Sequence, residues 1–360
     1  MGWNGPGCYG NPFIQTPNID RLAAEGMLFT NAYAAPVSSA SRANLISGQS
    51  GVRHNIIGTG DYKPWAPTLC PPRTTVLSET NYTIGKMLND NGYECAIMGK
   101  WHLFRYDVNT SLAQGGTNYF SKFGFNHVCG VSEEFTPEIE KDKAVDTLTT
   151  YALSIIDQFP DKPFFEYISH FSVHNKLNAP DSLIQKYINL GFAEKQSYDS
   201  RPSATYLAMI NHFDNSVGRI LNKLDESGLA DNTIVIFTSD NGGVNNFWDH
   251  GDLRGFKGSL YEGGIRIPLI IRWPKNVQGG TESDVPVQLM DLYPTFADIV
   301  SATIPAEYPL DGESILPLLQ QSGNLNREAV HWHRPGYQPK YAGTPASVIR
   351  KGDYKFIAVR

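Results

Sequence analysis

Five short polar clusters hold most of the side chains in this sequence that could do chemistry, and each follows an apolar run. The first is Ser38-Ser39-Ala40-Ser41-Arg42, continuing through Ala43-Asn44-Leu45-Ile46-Ser47-Gly48. The second is Gly99-Lys100-Trp101-His102, and the third spans His170 to His174. The fourth is Ser239-Asp240-Asn241-Gly242-Gly243. The fifth, Leu253-Arg254-Gly255-Phe256-Lys257-Gly258, runs into Glu262-Gly263-Gly264-Ile265-Arg266. Arg42, Lys100 and Lys257 are cations able to hold a tetrahedral oxyanion. His102 and His174 can move protons near neutral pH. Asp240 and Asn241 offer oxygen ligands, which suit a hard cation such as calcium or magnesium. Ser38 is a hydroxyl at an expected helix N-terminus, where anions are favoured. Together these residues equip a site for an anionic ester. Singly each has a plainer reading: Asp-Asn-Gly-Gly makes a turn, Lys-x-His decorates a loop, and a lone serine caps a helix.

The surrounding pattern supplies the scaffold. Thr16-Pro17-Asn18-Ile19-Asp20 reads as an N-cap with proline at the first helical position, opening a helix to about Glu25. Helices are expected over 83–91, 144–159 and 203–227. The last carries Leu207, Ile210, Phe213, Val217, Ile220, Leu221 and Leu224 at helical spacing, as core residues. Strands are expected at Met27-Leu28-Phe29, Glu94 to Met98, Pro163 to Ile168, Thr233 to Thr238 and Ile267 to Ile271. Strand and helix in alternation predict an α/β fold: a mostly parallel central sheet with helices on both faces. Ligands in such folds bind beyond the carboxyl ends of the strands, where these clusters fall.

Composition narrows the class. The 360 residues are 41% hydrophobic, enough for a large core. A net charge of −6 argues against nucleic acid as a partner. The apolar runs are too short to span a bilayer. Cys8, Cys70, Cys95 and Cys129 form no C-x-x-C pair, so zinc and thioredoxin-like readings lack support, while disulfides and buried thiols both stay open.

The order of the clusters resembles the sulfatase family of the alkaline-phosphatase-like superfamily. That family's signature is Cys or Ser, any residue, Pro or Ala, any residue, Arg, then Leu and Gly; here it reads Ser38, Ser39, Ala40, Ser41, Arg42, with Leu45 and Gly48. The likeness continues through Gly99-Lys100-Trp101-His102, the Pro163-Phe164-Phe165 strand leading to His174, and Thr238-Ser239-Asp240-Asn241-Gly242. It extends over Arg254 to Gly258, Tyr261 to Pro268, Asp291-Leu292-Tyr293-Pro294-Thr295 and Leu310-Asp311-Gly312, nearly the whole chain. The resemblance implies that Ser38 is oxidised to formylglycine, whose hydrated aldehyde attacks sulfur and later expels sulfate. It implies that Arg42 holds the hydrate, that Lys100 and Lys257 grip sulfate oxygens, and that His174 stands near the leaving oxygen. His102 would take the hydrate's proton. Asp240 and Asn241, with Ser38, would bind the divalent cation, normally calcium with magnesium as the alternative.

Ser38 in place of cysteine, with Ala40 in place of proline, looks like the serine-type signature, which implies a radical-based maturation enzyme as partner and a bacterial setting. The family's first strand ends in two adjacent aspartates, followed by residues like Met1-Gly2-Trp3-Asn4, so this chain is expected to lack that strand. The expected catalytic domain is 1–330. Residues 331–360, with Ser347 to Lys355, would open a small C-terminal sheet that is incomplete. Periplasmic or secreted location is expected where the full gene encodes a signal peptide. Trp248, His250, Asp252 and Arg254 could line the subsite for the alcohol or sugar, His250 and Arg254 as substrate ligands, although loop packing explains them equally. The substrate would be a sulfated carbohydrate or aryl sulfate. Two alternatives stay in play: a phosphoester or phosphonate monoester hydrolase, and an inactive chain that binds sulfated glycans. A Ser-His-Asp hydrolase is disfavoured by the lack of a G-x-S-x-G elbow.

Overall fold

The computed structural model describes residues 1–58, 74–103, 116–130, 141–195, 202–244, 251–336 and 344–359. Eleven strands occur among them: β1 Met27–Tyr33, β2 Glu94–Gly99, β3 His127–Cys129, β4 Phe164–Ser169, β5 Val235–Thr238, β6 Arg266–Arg272, β7 Thr281–Ser283, β8 Val287–Gln288, β9 Val330–Arg334, β10 Ala346–Lys351 and β11 Tyr354–Val359. The helices of seven residues or more are α1 Pro17–Ala24, α2 Ser38–Ser47, α3 Ile84–Asp90, α4 Val145–Gln158, α5 Asp181–Asn189, α6 Ala204–Glu226 and α7 Leu292–Val300.

Strands β3, β2 and β4 form a parallel sheet in that order, with Cys95 opposite Phe165 and Gly99 opposite Ser169. A second sheet runs β5-β6-β1-β7, with β8 also on β1. Here β7 and β8, two short strands not foreseen from the sequence, are parallel to β1. Strand β6, however, is antiparallel to both β1 and β5. Helix–strand alternation does not foretell this, because only the one-turn helix Glu262–Ile265 directly precedes β6. The body is thus mostly parallel with one reversed strand.

Side chains alternate along the strands, so each sheet buries two faces. Cys95 and Ile97 of β2 pack with Ile84 and Met87 of α3 and Ala297 of α7. Ala96 and Met98, on the other face, meet Leu148, Ala152 and Ile155 of α4. Helices therefore cover both faces, the layered α/β arrangement. Within α6, Leu207 and Ile210 face Tyr187 of α5, while Leu221 faces Ile19 and Leu22 of α1. Asp214 of α6 accepts hydrogen bonds from the amides of Asn18 and Ile19, satisfying the opening turn of α1.

The C-terminal sheet β9-β10-β11 is antiparallel throughout, with Val348 opposite Trp332 and Ile357. It is clamped to the body by Trp332, which packs edge-on against Tyr33 at 5.1 Å and donates its indole N–H to the Ala34 carbonyl at 3.1 Å. Cys8, Cys95 and Cys129 are free thiols, and burial pushes Cys95 up to about 12; Cys70 lies outside the described residues. Among the described residues, no helix is long and apolar enough to cross a membrane.

Candidate active site

The polar site is assembled where β2, β4 and β5 end and α2 begins. After β1, the chain turns through Val37, in extended geometry, and Ser38 becomes the first residue of the ten-residue helix α2. Ser38 is buried, and its hydroxyl donates to Asn241 Oδ1 at 3.0 Å. The ammonium of Lys257 donates to the same Ser38 Oγ at 3.4 Å. One turn along α2, Arg42 becomes the hub. Its Nε and Nη2 donate to Asp240 Oδ2 at 3.1 and 2.8 Å. Its Nη1 donates to the Lys100 carbonyl at 2.7 Å, and to the hydroxyls of Tyr167 and Ser169. The guanidinium thereby ties together α2, the end of β4 and the turns after β2 and β5.

Glycines make these turns possible. Gly99, at the end of β2, has φ +85°, and a Cβ there would lie 2.1 Å from the Ser169 carbonyl. That carbonyl accepts the Lys100 amide at 2.7 Å, so strand end and cation are placed by one contact. Gly242 stands against Gly263, where a Cβ would lie 2.1 Å from the Gly263 carbonyl, which brings the Asp240-Asn241 turn onto the segment after Lys257.

Asp240 sits among cations. Burial opposes its charge, but Arg42, Lys100, Lys257 and the Met1 ammonium outweigh it and hold the carboxyl well below the usual range. The histidines respond oppositely. Burial, then Lys100, Arg42 and Lys257, push His102 down to about 3. Burial, then Lys100 and Lys257, lower His174 to about 4. Both are neutral near pH 7. His174 Nδ1 lies 3.0 Å from the Asn175 carbonyl, so its proton is on Nδ1 and Nε2 is an acceptor. His102 takes a left-handed backbone, φ +61°, and its buried Nδ1 has no hydrogen-bond partner among the described residues.

A cavity of about 930 Å³ opens onto Ser38, Arg42, Lys100, His174, Asp240, Asn241 and Lys257. His102 joins them through its coupling to Lys100, Arg42 and Lys257. Arg254 is not among the residues lining this cavity, and its guanidinium stacks on the Tyr261 ring at 4.0 Å. Trp248 and His250 lie outside the described residues. Tyr167 and Ser169 were not singled out from sequence, because within an apolar strand run they read as sheet residues. The signal available was their place at the carboxyl end of β4, the rule that located the other clusters. A separate group, Asp142, Asp146 and His212, brings ligand atoms within 4.8 Å of one another, and Asp146 is paired there with Arg219 at 2.8 Å.

Against this geometry, a family model described as sulfatase matches residues 1–302. The chain belongs to the sulfatase family. A model described as N-sulphoglucosamine sulphohydrolase, C-terminal, matches residues 251–359 of this sulfatase chain. Steryl-sulfatase from Homo sapiens is 28% identical over 437 residues, covering 92% of this chain and 72% of its own. N-acetylgalactosamine-6-sulfatase from Homo sapiens is 30% identical over 363 residues, covering 92% and 66%. The crystal structure of Ps i-CgsB in complex with k-i-k-neocarrahexaose superposes with a TM-score of 0.79 at 27% identity, covering 100% of this chain and 82% of that one. The sulfatase fold and hydrolase class follow from these matches.

Proposed function

We propose that this sulfatase cleaves a sulfate monoester, on a carbohydrate or an aryl alcohol, using Ser38 matured to formylglycine. The observation that carries the reading is the convergence of Arg42, Lys100 and Lys257 around the buried Ser38–Asn241 hydrogen bond. The carbohydrate side is supported by the relatives: one acts on N-acetylgalactosamine-6-sulfate by its name, and another binds a carrahexaose.

The chain's own residues divide the work. Arg42, locked by Asp240, Ser169 and the Lys100 carbonyl, fixes the first turn of α2 and so the aim of residue 38. Lys100 and Lys257 are charge-assisted donors for the sulfate oxygens. His174 faces the leaving oxygen. Burial and then the two lysines depress its pKa; a bound sulfate offsets the lysines' share and draws the pKa upward, toward the protonated form that can donate when the bond breaks. His102, neutral and buried, accepts the proton of residue 38.

The donor set also suits a hard divalent cation. Asp240 is kept ionised, and Asn241 Oδ1 and Ser38 Oγ meet at 3.0 Å, giving oxygen ligands only. Asp240, Asn241 and residue 38 would hold calcium or magnesium, which when bound supplies charge stabilisation at the reacting sulfate.

The test is to express the chain with and without a serine-type maturation enzyme and assay paired sulfate and phosphate esters. The expected result is loss of a pair of hydrogen atoms from the Ser38 peptide by mass spectrometry, and sulfate cleavage only in the matured protein. Faster phosphate cleavage would replace this reading with a phosphoesterase. An unmodified peptide from the co-expressing host, with retained binding of a sulfated glycan, would replace it with a non-catalytic one.

A further inference from the structure

Strand β9 carries an outlier on its buried face. Side chains alternate along a strand, so Val330, Trp332 and Arg334 share the face turned to the body, with Ala346 and Val348 beside them on β10. All but Arg334 are apolar, yet Arg334 is as buried as the rest, at 4% exposure. Among the described residues no carboxylate pairs with it, and its Nε has no hydrogen-bond partner. Burial lowers its pKa to about 10, so it stays charged at neutral pH. A buried guanidinium without a counter-ion is a poor choice for packing or stability alone. Fastening the sheet does not call for it either. Trp332 already grips Tyr33 and Ala34, and the Lys355 ammonium donates to Glu262 Oε1 at 2.7 Å.

What Arg334 binds is backbone. Its Nη2 donates to the Thr344 carbonyl at 2.5 Å, and its Nη1 donates to the Gly258 carbonyl. Gly258 directly follows Lys257, in a left-handed turn with φ +89°. The Gly258 amide donates to the Pro36 carbonyl at 2.7 Å, just before Ser38 in the chain. The Lys257 amide donates to the Gly243 carbonyl at 2.7 Å, just after Asn241. The turn is therefore pinned to the approach of α2, to the Asp240-Asn241 turn and, through Arg334, to the C-terminal sheet. The first two pins are neutral amide–carbonyl bonds, while the third is charge-assisted, the stronger kind. From this turn the Lys257 ammonium reaches Ser38 Oγ at 3.4 Å.

We propose that Arg334 is a positioning residue, through which the C-terminal sheet holds the Gly258 peptide and so sets the Lys257 ammonium against residue 38. It touches neither substrate nor reacting atoms and acts through Lys257. Its bearing on turnover rests on Lys257 gripping sulfate; the placement of Lys257 does not.

The experiment follows amide hydrogen exchange by mass spectrometry in the 360-residue chain and in its Arg334→Met, Arg334→Lys and Trp332→Phe variants. In Arg334→Met the amides of 257–258 should exchange about tenfold faster than in the parent, beyond any change at the slowest amides of β6, which report global opening. Arg334→Lys keeps the charge but cannot fork to both carbonyls, so its exchange at 257–258 should fall between the two. Trp332→Phe loosens the sheet without touching Gly258, and should speed exchange at 330–334 while leaving 257–258 unchanged. If Arg334→Met does not fold, Arg334→Lys against Trp332→Phe decides by the same comparison. Exchange at 257–258 that moves no more than at β6, or moves equally in Trp332→Phe, overturns the proposal. In matured protein that cleaves a sulfate ester, the kcat/KM lost on Arg334→Met should vanish in a Lys257→Ala background, as for a residue that acts through another. A full additive loss in that background also overturns it. A parent that cleaves no sulfate ester counts against the sulfate reading, while the exchange result still decides the role of Arg334.

Discussion

Arg42 and Asp240 show how much one ion pair with a buried guanidinium can organise. Arg42 is nearly buried and its contacts reach α2, β4 and two turns, so its removal leaves Asp240 with fewer partners in a low-dielectric site. Breaking a buried pair by losing one member typically costs about 3–5 kcal/mol. Because the Asp240 side chain keeps 25% exposure, Arg42→Ala should lower stability by less than that range in chemical denaturation, and Arg42→Lys should recover little, because a point charge cannot replace the forked contacts. A second expectation concerns His174. Inorganic sulfate bound between Lys100 and Lys257 should raise its pKa from the depressed value of about 4, read by NMR titration of the imidazole. In Lys257→Ala the free protein should show a higher His174 pKa and a smaller rise with sulfate. At this scale the sequence was informative because Arg, Lys, His and Asp beyond strand ends have few other reasons to gather. Tyr167 and Ser169 were illegible because their hydroxyls matter only once Arg42 has crossed to them.

The elements owe their placement to turns that side chains cannot imitate. Gly99 is the sharpest case, with a left-handed backbone and the Ser169 carbonyl where a Cβ would be. Gly99→Ala should destabilise the fold by about 1–3 kcal/mol through strain and the forced separation of β2 from β4. Because Lys100 leaves from this turn, the substitution should also lower sulfate-ester turnover by more than its stability cost predicts, checked by comparing kcat/KM with the thermal midpoint. Four helices, α1, α3, α4 and α6, were legible to within a residue or two: Thr83 caps α3 by accepting the Lys86 amide, and Ser203 caps α6 by accepting the Tyr206 amide; α5 and α7 were not foreseen. The reversal of β6 was not. Strand direction is decided by how the chain returns across the sheet, and an apolar run such as Ile267-Pro268-Leu269-Ile270-Ile271 reads the same either way.

Across the whole molecule, the central cavity has an energetic signature of its own. Glu166, in the middle of β4, lines it, and its buried Oε1 has no hydrogen-bond partner among the described residues. Burial alone raises its carboxyl from 4.5 to about 8. Between those values the folded chain holds a proton that the unfolded chain releases, so the Glu166 contribution to stability falls as pH rises from 4.5 and levels off above about 8. Glu166→Gln removes the titration but keeps the shape. The variant should match the parent near pH 4.5 and become progressively more stable than it up to pH 8, measured by urea unfolding at steps across that window. The histidines lowered by burial, His102 and His174 among them, bias stability the other way as pH falls below their unfolded value, and the pairwise comparison cancels them because both proteins carry them. A flat difference across the window would mean that water or a cation already serves the Glu166 carboxylate.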